Sequence, residues 1–165
     1  MNRIIKLLIL MIIIVVSDQI TKRYVQSNMS VGESIQVISG FFNITYVRNP
    51  GAAFGFLAEA SEKIRKPLFL ALPVIACFWL VWLIWDSRKR HPILTLAYGL
   101  IMAGAVGNLI DRFSLGYVID FFDFYYSIHH YPAFNIADSS ITVAAILLII
   151  EFIFLSKKNT HKIKR

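Results

Sequence analysis

Charge is scarce in this chain of 165 residues: Asp, Glu, Lys and Arg make up only 16% of it, and acids are the rarer kind, 10 against 17 Lys and Arg. With 57% hydrophobic residues and a mean hydropathy of +0.63, so little charge argues against a water-soluble domain. Cysteine occurs once, at Cys77, so no disulfide within the chain can staple a small fold. The 8 glycines and 5 prolines are too few for a collagen-like chain, and 13 phenylalanines exclude a disordered one. No internal repeat or low-complexity linker divides the sequence, which reads as one domain over 1–165. The formal charge of +7 and pI of about 9.7 raise nucleic acid as a partner, and the placement of the basic residues answers that question.

Crossing about 30 Å of hydrocarbon takes roughly 20 apolar residues in a helix. Four stretches qualify, over about 4–24, 67–85, 93–110 and 134–155. The second and third are joined only by Asp86 to Pro92, which makes them antiparallel neighbours. This loop carries Arg88, Lys89 and Arg90; Arg3 and Lys6 lie before the first span, and Lys157, Lys158, Lys162, Lys164 and Arg165 follow the last. With an even number of spans all three basic segments fall on one side, and the positive-inside rule puts them in the cytoplasm with both termini. Topology thus accounts for the basic pI without nucleic acid. Residues 1–17 have the outline of a signal peptide, with Val15-x-Ser17 as a tolerable cleavage site, but removing them would leave three spans and break the charge agreement. They are expected to be retained, and no cysteine lies near enough to make the chain itself a lipoprotein.

The extracytoplasmic face then holds about 26–66 and a loop of about 111–133. In the first, 35–37 and 41–47 are β-prone and separated by Ser39-Gly40, which predicts a hairpin or curved sheet. The run from Gly51 to Phe56 adds small residues and two aromatics. So small a sheet is unstable alone and should lie against the helices or the lipid.

Ionisable groups in or beside spans are costly and need a partner, a cavity or a task. Asp18, Asn108, Asp111, Arg112, Asn135 and Asp138 converge at one depth, the far ends of the first and third spans and the start of the fourth. Asp120 and Asp123 sit in the aromatic run 117–126. Gly99, Ala103 and Gly107 form a small-residue stripe for close helix approach, continued by Asp111. Asn108 and Arg112, four apart, project together and could clamp substrate carbonyl groups, or Arg112 could simply neutralise Asp111 or Asp18. Asn135 can cap the fourth span with Asp138 three residues on, which is a structural role by itself. Asp120, among Val118, Ile119, Phe121 and Phe122, has no such role. Brought together, Asp120 and Asp138 would share a proton, and such a pair can activate water against a peptide carbonyl and protonate the departing amine. Other chemistries are poorly supplied: Ser17 has no adjacent base, no metal-binding His-Glu-x-x-His occurs, and His129-His130 in a polar loop reads as solvated rather than ligating. A small transporter or channel subunit is the competing class, but it would want acids at mid-depth, and spans two to four have none there.

Five blocks carry a family resemblance: Ser17-Asp18-Gln19-Ile20-Thr21-Lys22, Arg48-Asn49-Pro50-Gly51-Ala52-Ala53-Phe54-Gly55, Gly104 to Arg112, Val118-Ile119-Asp120-Phe121 and Pro132 to Ser139. In that order they resemble the lipoprotein signal peptidases, or signal peptidase II. The resemblance implies a membrane aspartyl endopeptidase of the bacterial cytoplasmic membrane that cuts prolipoproteins just before a diacylglyceryl-modified cysteine, with its site at the extracytoplasmic interface. It implies catalysis by Asp120 and Asp138; substrate contact or orientation of the pair by Asn49, Gly51, Asn108, Arg112 and Asn135; and support from Asp18 and Asp111. It implies no metal or other cofactor, and membrane lipids and lipidated prolipoproteins as partners of a monomer. The implied fold is four transmembrane helices with a small extracytoplasmic β-cradle and a short interfacial helix. Tyr131 stands where the family often has Trp, a change another aromatic should tolerate at the interface.

Overall fold

The computed structural model describes residues 2–51, 61, 63 and 67–163, with side chains to residue 153. Helix α1 spans Arg3–Asn28, with the Asn2 side chain accepting from the Ile4 N–H at its start. Strands β1 (Ser34–Ile38) and β2 (Phe42–Asn49) follow as an antiparallel hairpin whose turn places Gly40 at φ +74°. Helix α2 (Leu72–Ser87) opens on a wider, π-helical turn, Pro67–Ala71. Pro73 has no N–H for the carbonyl four residues back, which accounts for the loosened pitch there. Helix α3 covers Pro92–Ser114, strands β3 and β4 cover Val118–Tyr126 and His129–His130, and α4 covers Ile136–Ile163.

Four helical segments are long and apolar enough to cross a membrane: Arg3–Asn28, Pro67–Ser87, Pro92–Ser114 and Ile136–Ile153. Large apolar side chains cover the outside, among them Ile12, Ile13, Phe78, Trp79, Trp82, Trp85 and Phe152, as lipid-facing surface requires. Helix α3 is the centre, half of its apolar window being buried against 6–17% in the other three. It touches α1, α2 and α4. Its small residues make this possible: a methyl group on Gly99 would lie 2.5 Å from Leu7 Cδ1 of α1, and one on Gly104 would lie 2.4 Å from the Ala137 carbonyl oxygen of α4. Arg3 donates to the Arg88 carbonyl at 3.2 Å, and His91 lies 3.8 Å from Glu151, so the N-terminus, the Arg88 to His91 turn and α4's later turns share one end of the bundle.

The sheet is at the other end, in the order β1-β2-β3-β4. Val47 faces Asp120 and Asn49 faces Val118 across β2 and β3. Val25 of α1 and Met29 just after its end pack with Tyr46, Ile119 and Phe121, which fixes the sheet to the bundle. On the aromatic side, Phe42 stacks on Phe124 at 4.7 Å and Phe124 on Phe134 at 5.8 Å.

One difference from the sequence reading concerns 111–133. Residues 111–114 complete the last turn of α3, and 118–126 are a strand rather than loop. The strand escaped notice because it is covered on both faces, its first four residues all buried, so the run lacks apolar–polar alternation. Of the short interfacial helix the described residues give only Lys63, which is helical and whose neighbours on both sides lie outside them. The small and aromatic residues read over 51–56 lie, after Gly51, outside them.

Candidate active site

Three backbone transitions build the site. At the first, α3 stops: Leu115 N–H returns to the Asp111 carbonyl, Gly116 N–H to that of Arg112, and Gly116 takes φ +82°, which turns the chain directly into β3. At the second, Asn135 caps α4, its Oδ1 accepting from Asp138 N–H at 2.9 Å while Asp138 Oδ2 accepts from Asn135 N–H at 3.3 Å. At the third, β2 ends and Asn49 Oδ1 accepts from Gly51 N–H at 3.0 Å. Each transition presents a polar side chain at the same depth.

Asp120 is buried at 2% exposure. Asn135 Nδ2 donates to its Oδ1 at 2.7 Å and Asn49 Nδ2 to its Oδ2 at 3.0 Å. Asp138, half-buried, accepts from Asn108 Nδ2 at 2.8 Å. Asn135 Nδ2 also reaches Asn108 Oδ1 at 3.3 Å, so two amides connect the two carboxyl groups. Burial first, and then the Asp138 charge, push Asp120 up to about 6, against the amide donors of Asn49 and Asn135 and the Lys22 ammonium.

Both carboxyl groups line one cavity of about 650 Å³. Asn49, Asn108 and Arg112 join them in its polar wall, and Phe69, Pro73, Ile141 and Val143 supply an apolar one. Arg112 donates to the Gly51 carbonyl at 2.8 Å and lies 5.5 Å from the Phe69 ring centroid. Its buried Nε has no hydrogen-bond partner among the described residues.

Asp18 and Asp111 stand behind this wall. The cation between them is Lys22, not Arg112: its ammonium lies 2.8 Å from Asp18 Oδ2 and 3.0 Å from Asp111 Oδ2 and donates to Asn108 Oδ1 at 2.9 Å. Asp18 Oδ1 caps Ala137 N–H of α4 at 2.9 Å, and Asp111 Oδ2 accepts from Ile119 N–H of β3 at 3.1 Å. Gln19 Nε2 donates to Asp111 Oδ1 at 2.9 Å and to the Gly107 carbonyl at 3.1 Å. Lys22 and Gln19 are the residues sequence reasoning passed over, and the signal was the i, i+4 spacing of Asp18 and Lys22 on one face of an apolar helix.

Asp123 does not join this group. It accepts from Asn43 Nδ2 at 3.1 Å and from Thr45 Oγ1 at 3.2 Å, and it meets His130 Nδ1 at 2.8 Å. That bond gives His130 a structural occupation, pinning β4 to the sheet.

The family profile described as Signal peptidase (SPase) II matches residues 10–154. The lipoprotein signal peptidase of Desulforapulum autotrophicum is 43% identical over 150 residues, covering 91% of this chain and 93% of that one. That of Symbiobacterium thermophilum is 39% identical over 153 residues, covering 93% and 97%. A solved bacterial membrane enzyme superimposes with a TM-score of 0.82 at 36% identity, covering 93% of this chain and 90% of its own. A match of this extent, on a membrane-type helical bundle with a small antiparallel sheet, means that the chain belongs to the signal peptidase II family of peptidases.

Proposed function

We propose that the chain is an aspartyl endopeptidase that removes signal peptides from diacylglyceryl-modified prolipoproteins, cutting just before the lipidated cysteine. The observation that carries this reading is the pair Asp120 and Asp138 on the wall of one cavity whose other side is apolar. A substrate with acyl chains in the bilayer and a peptide at headgroup depth needs both surfaces at once.

In this mechanism one carboxylate of the pair takes a proton from water as the oxygen attacks the scissile carbonyl carbon, and the other carboxyl group supplies the proton that the departing amine requires. One shared proton and one negative charge are the resting requirement, and raising Asp120 to about 6 beside Asp138 moves that state up from the range of an ordinary aspartate toward neutral pH. Asn49, Asn108 and Asn135 hold the carboxylate oxygens by their amide donors. Arg112, a cation on the cavity wall, is suited to a substrate carbonyl. The site sits at the end of the bundle opposite Arg3 and Arg88, and this supports an extracytoplasmic interface of the bacterial cytoplasmic membrane with both termini inside. Membrane lipids and a lipidated prolipoprotein are the partners this reading needs; it needs neither nucleic acid nor a second subunit.

The test is cleavage, by the purified protein in lipid, of two peptides identical except for the diacylglyceryl group on cysteine. The lipidated peptide should be cut before the cysteine and the bare one left largely intact. Asp120→Asn and Asp138→Asn should each abolish cleavage while inserting normally, and wild-type rates from both would remove the carboxylate pair from the mechanism.

A further inference from the structure

Asn108 presents a choice that its own shape does not settle. An amide can be turned over, exchanging its donor and acceptor at no steric cost, and only its neighbours decide which way it faces. Here one end of the amide looks at Asp138 Oδ1 at 2.8 Å and the other at Lys22 Nζ at 2.9 Å. With Oδ1 toward the ammonium, Nδ2 donates to the carboxylate and both contacts are charge-assisted. Turned over, the amide would set donor against donor at Lys22 and acceptor against acceptor at Asp138. Lys22 is held in place for this: it is 1% exposed, with carboxylates of α1 and α3 on its other sides. Among the described residues, Asn108 is the hydrogen-bonded link between this ammonium and the Asp138 carboxylate on the cavity wall.

We propose that Lys22 is a positioning residue for catalysis, acting through Asn108: its ammonium fixes the amide so that a donor always faces Asp138. The inference rests on the carboxylate-pair reading above. Its consequence is that Lys22 never touches substrate yet governs turnover, because a reversed Asn108 would repel the carboxylate it now supports. The Asn135 amide, which donates to Asp120 and reaches the same Asn108 oxygen, would lose an acceptor in the reversed arrangement, so both acids depend on the orientation.

The experiment is a mutant cycle on the full chain in lipid, with the lipidated peptide as substrate. Removing the ammonium alone would leave Asp18 and Asp111 uncompensated, so Lys22→Met is made together with Asp111→Asn and compared with Asp111→Asn alone. Relative to that reference, kcat should fall roughly ten- to a hundredfold, as for other supporting residues around a site, with KM within about twofold. In an Asn108→Ala background the same Lys22 change should cost less than about threefold, since its route is already cut. Full additivity in that background, a loss confined to KM, or an unchanged kcat would each overturn the proposal. If the Met variant does not insert, Lys22→Gln, which keeps a polar head between the two carboxylates, is put through the same cycle under the same criteria. Asp138→Asn is measured alongside: if it cuts at the wild-type rate, the carboxylate-pair reading has failed, whereas an inactive Asp138→Asn beside an additive Lys22 effect removes this inference alone.

Discussion

Burying Asp120 carries a cost that depends on pH. Its folded form holds a proton up to about pH 6, whereas an ordinary aspartate lets go near 3.8. The favourable contribution of the protonated group is therefore fully present below pH 3.8 and is lost as pH rises through 6. Above that, the buried ionised carboxylate costs about 3 kcal/mol by linkage, less in practice where water relaxes around it. Asp120→Asn removes the charge but leaves one amide donor, of Asn49 or Asn135, without its acceptor. The variant should accordingly melt a few degrees above the wild type at pH 8 and lose that advantage at pH 4. A thermal scan at the two pH values checks this, and equal differences at both would mean that the carboxylate is not strained. The acids were legible from the sequence because hydrophobic surroundings make an acid conspicuous. Lys22 was not, since a lysine four residues from an aspartate passes as a routine helical ion pair until Asn108 is seen beyond it.

Among the elements, α3 carries the tightest constraint. A methyl on Gly104 would meet the Ala137 carbonyl at 2.4 Å, and backbone cannot step aside as a side chain can. On Gly99 the obstacle is the end of the Leu7 side chain, which can rotate. Gly104→Ala should therefore destabilise by about 2–3 kcal/mol and cut activity through displaced α4, and Gly99→Ala by about 1 kcal/mol or less with activity retained. Melting temperatures and turnover of the two variants distinguish these outcomes. Tyr46, 1% exposed, links β2 to α1 through Val25 and Met29. Tyr46→Ala should cost about 3–5 kcal/mol and loosen the sheet while leaving the spans in place. That loss would appear as faster hydrogen exchange over β1 to β3 alone. The helices were readable from unbroken hydropathy, and the first hairpin from β-branched residues around Ser39-Gly40. Strand β3 was not, because Asp120 and Asp123 interrupt a run whose two faces are buried by different partners, one by α1 and the other by Phe134 and Asn135.

For the molecule as a whole, the apolar exterior makes a prediction independent of catalysis. All three tryptophans, Trp79, Trp82 and Trp85, lie on α2, and each is about 60% exposed. In bilayers containing brominated lipid their fluorescence should be strongly quenched, whereas an aqueous quencher such as iodide should have little effect. Strong iodide quenching would place α2 against water instead of lipid.

Partners for Asp18 and Lys22 come from chain made much later: Asn108 and Asp111 on α3, and Ala137 at the start of α4. While the chain is being synthesised, α1 therefore reaches the bilayer before any of them exists. Asp18 and Lys22, opposite in charge, are one helical turn apart and 2.8 Å from each other in the finished molecule, so they can cancel locally during that interval. Asp18 and Lys22 thus enter lipid as a neutral pair, and the contact that later holds α1 to α3 and α4 serves beforehand as that segment's own passport through the insertion machinery.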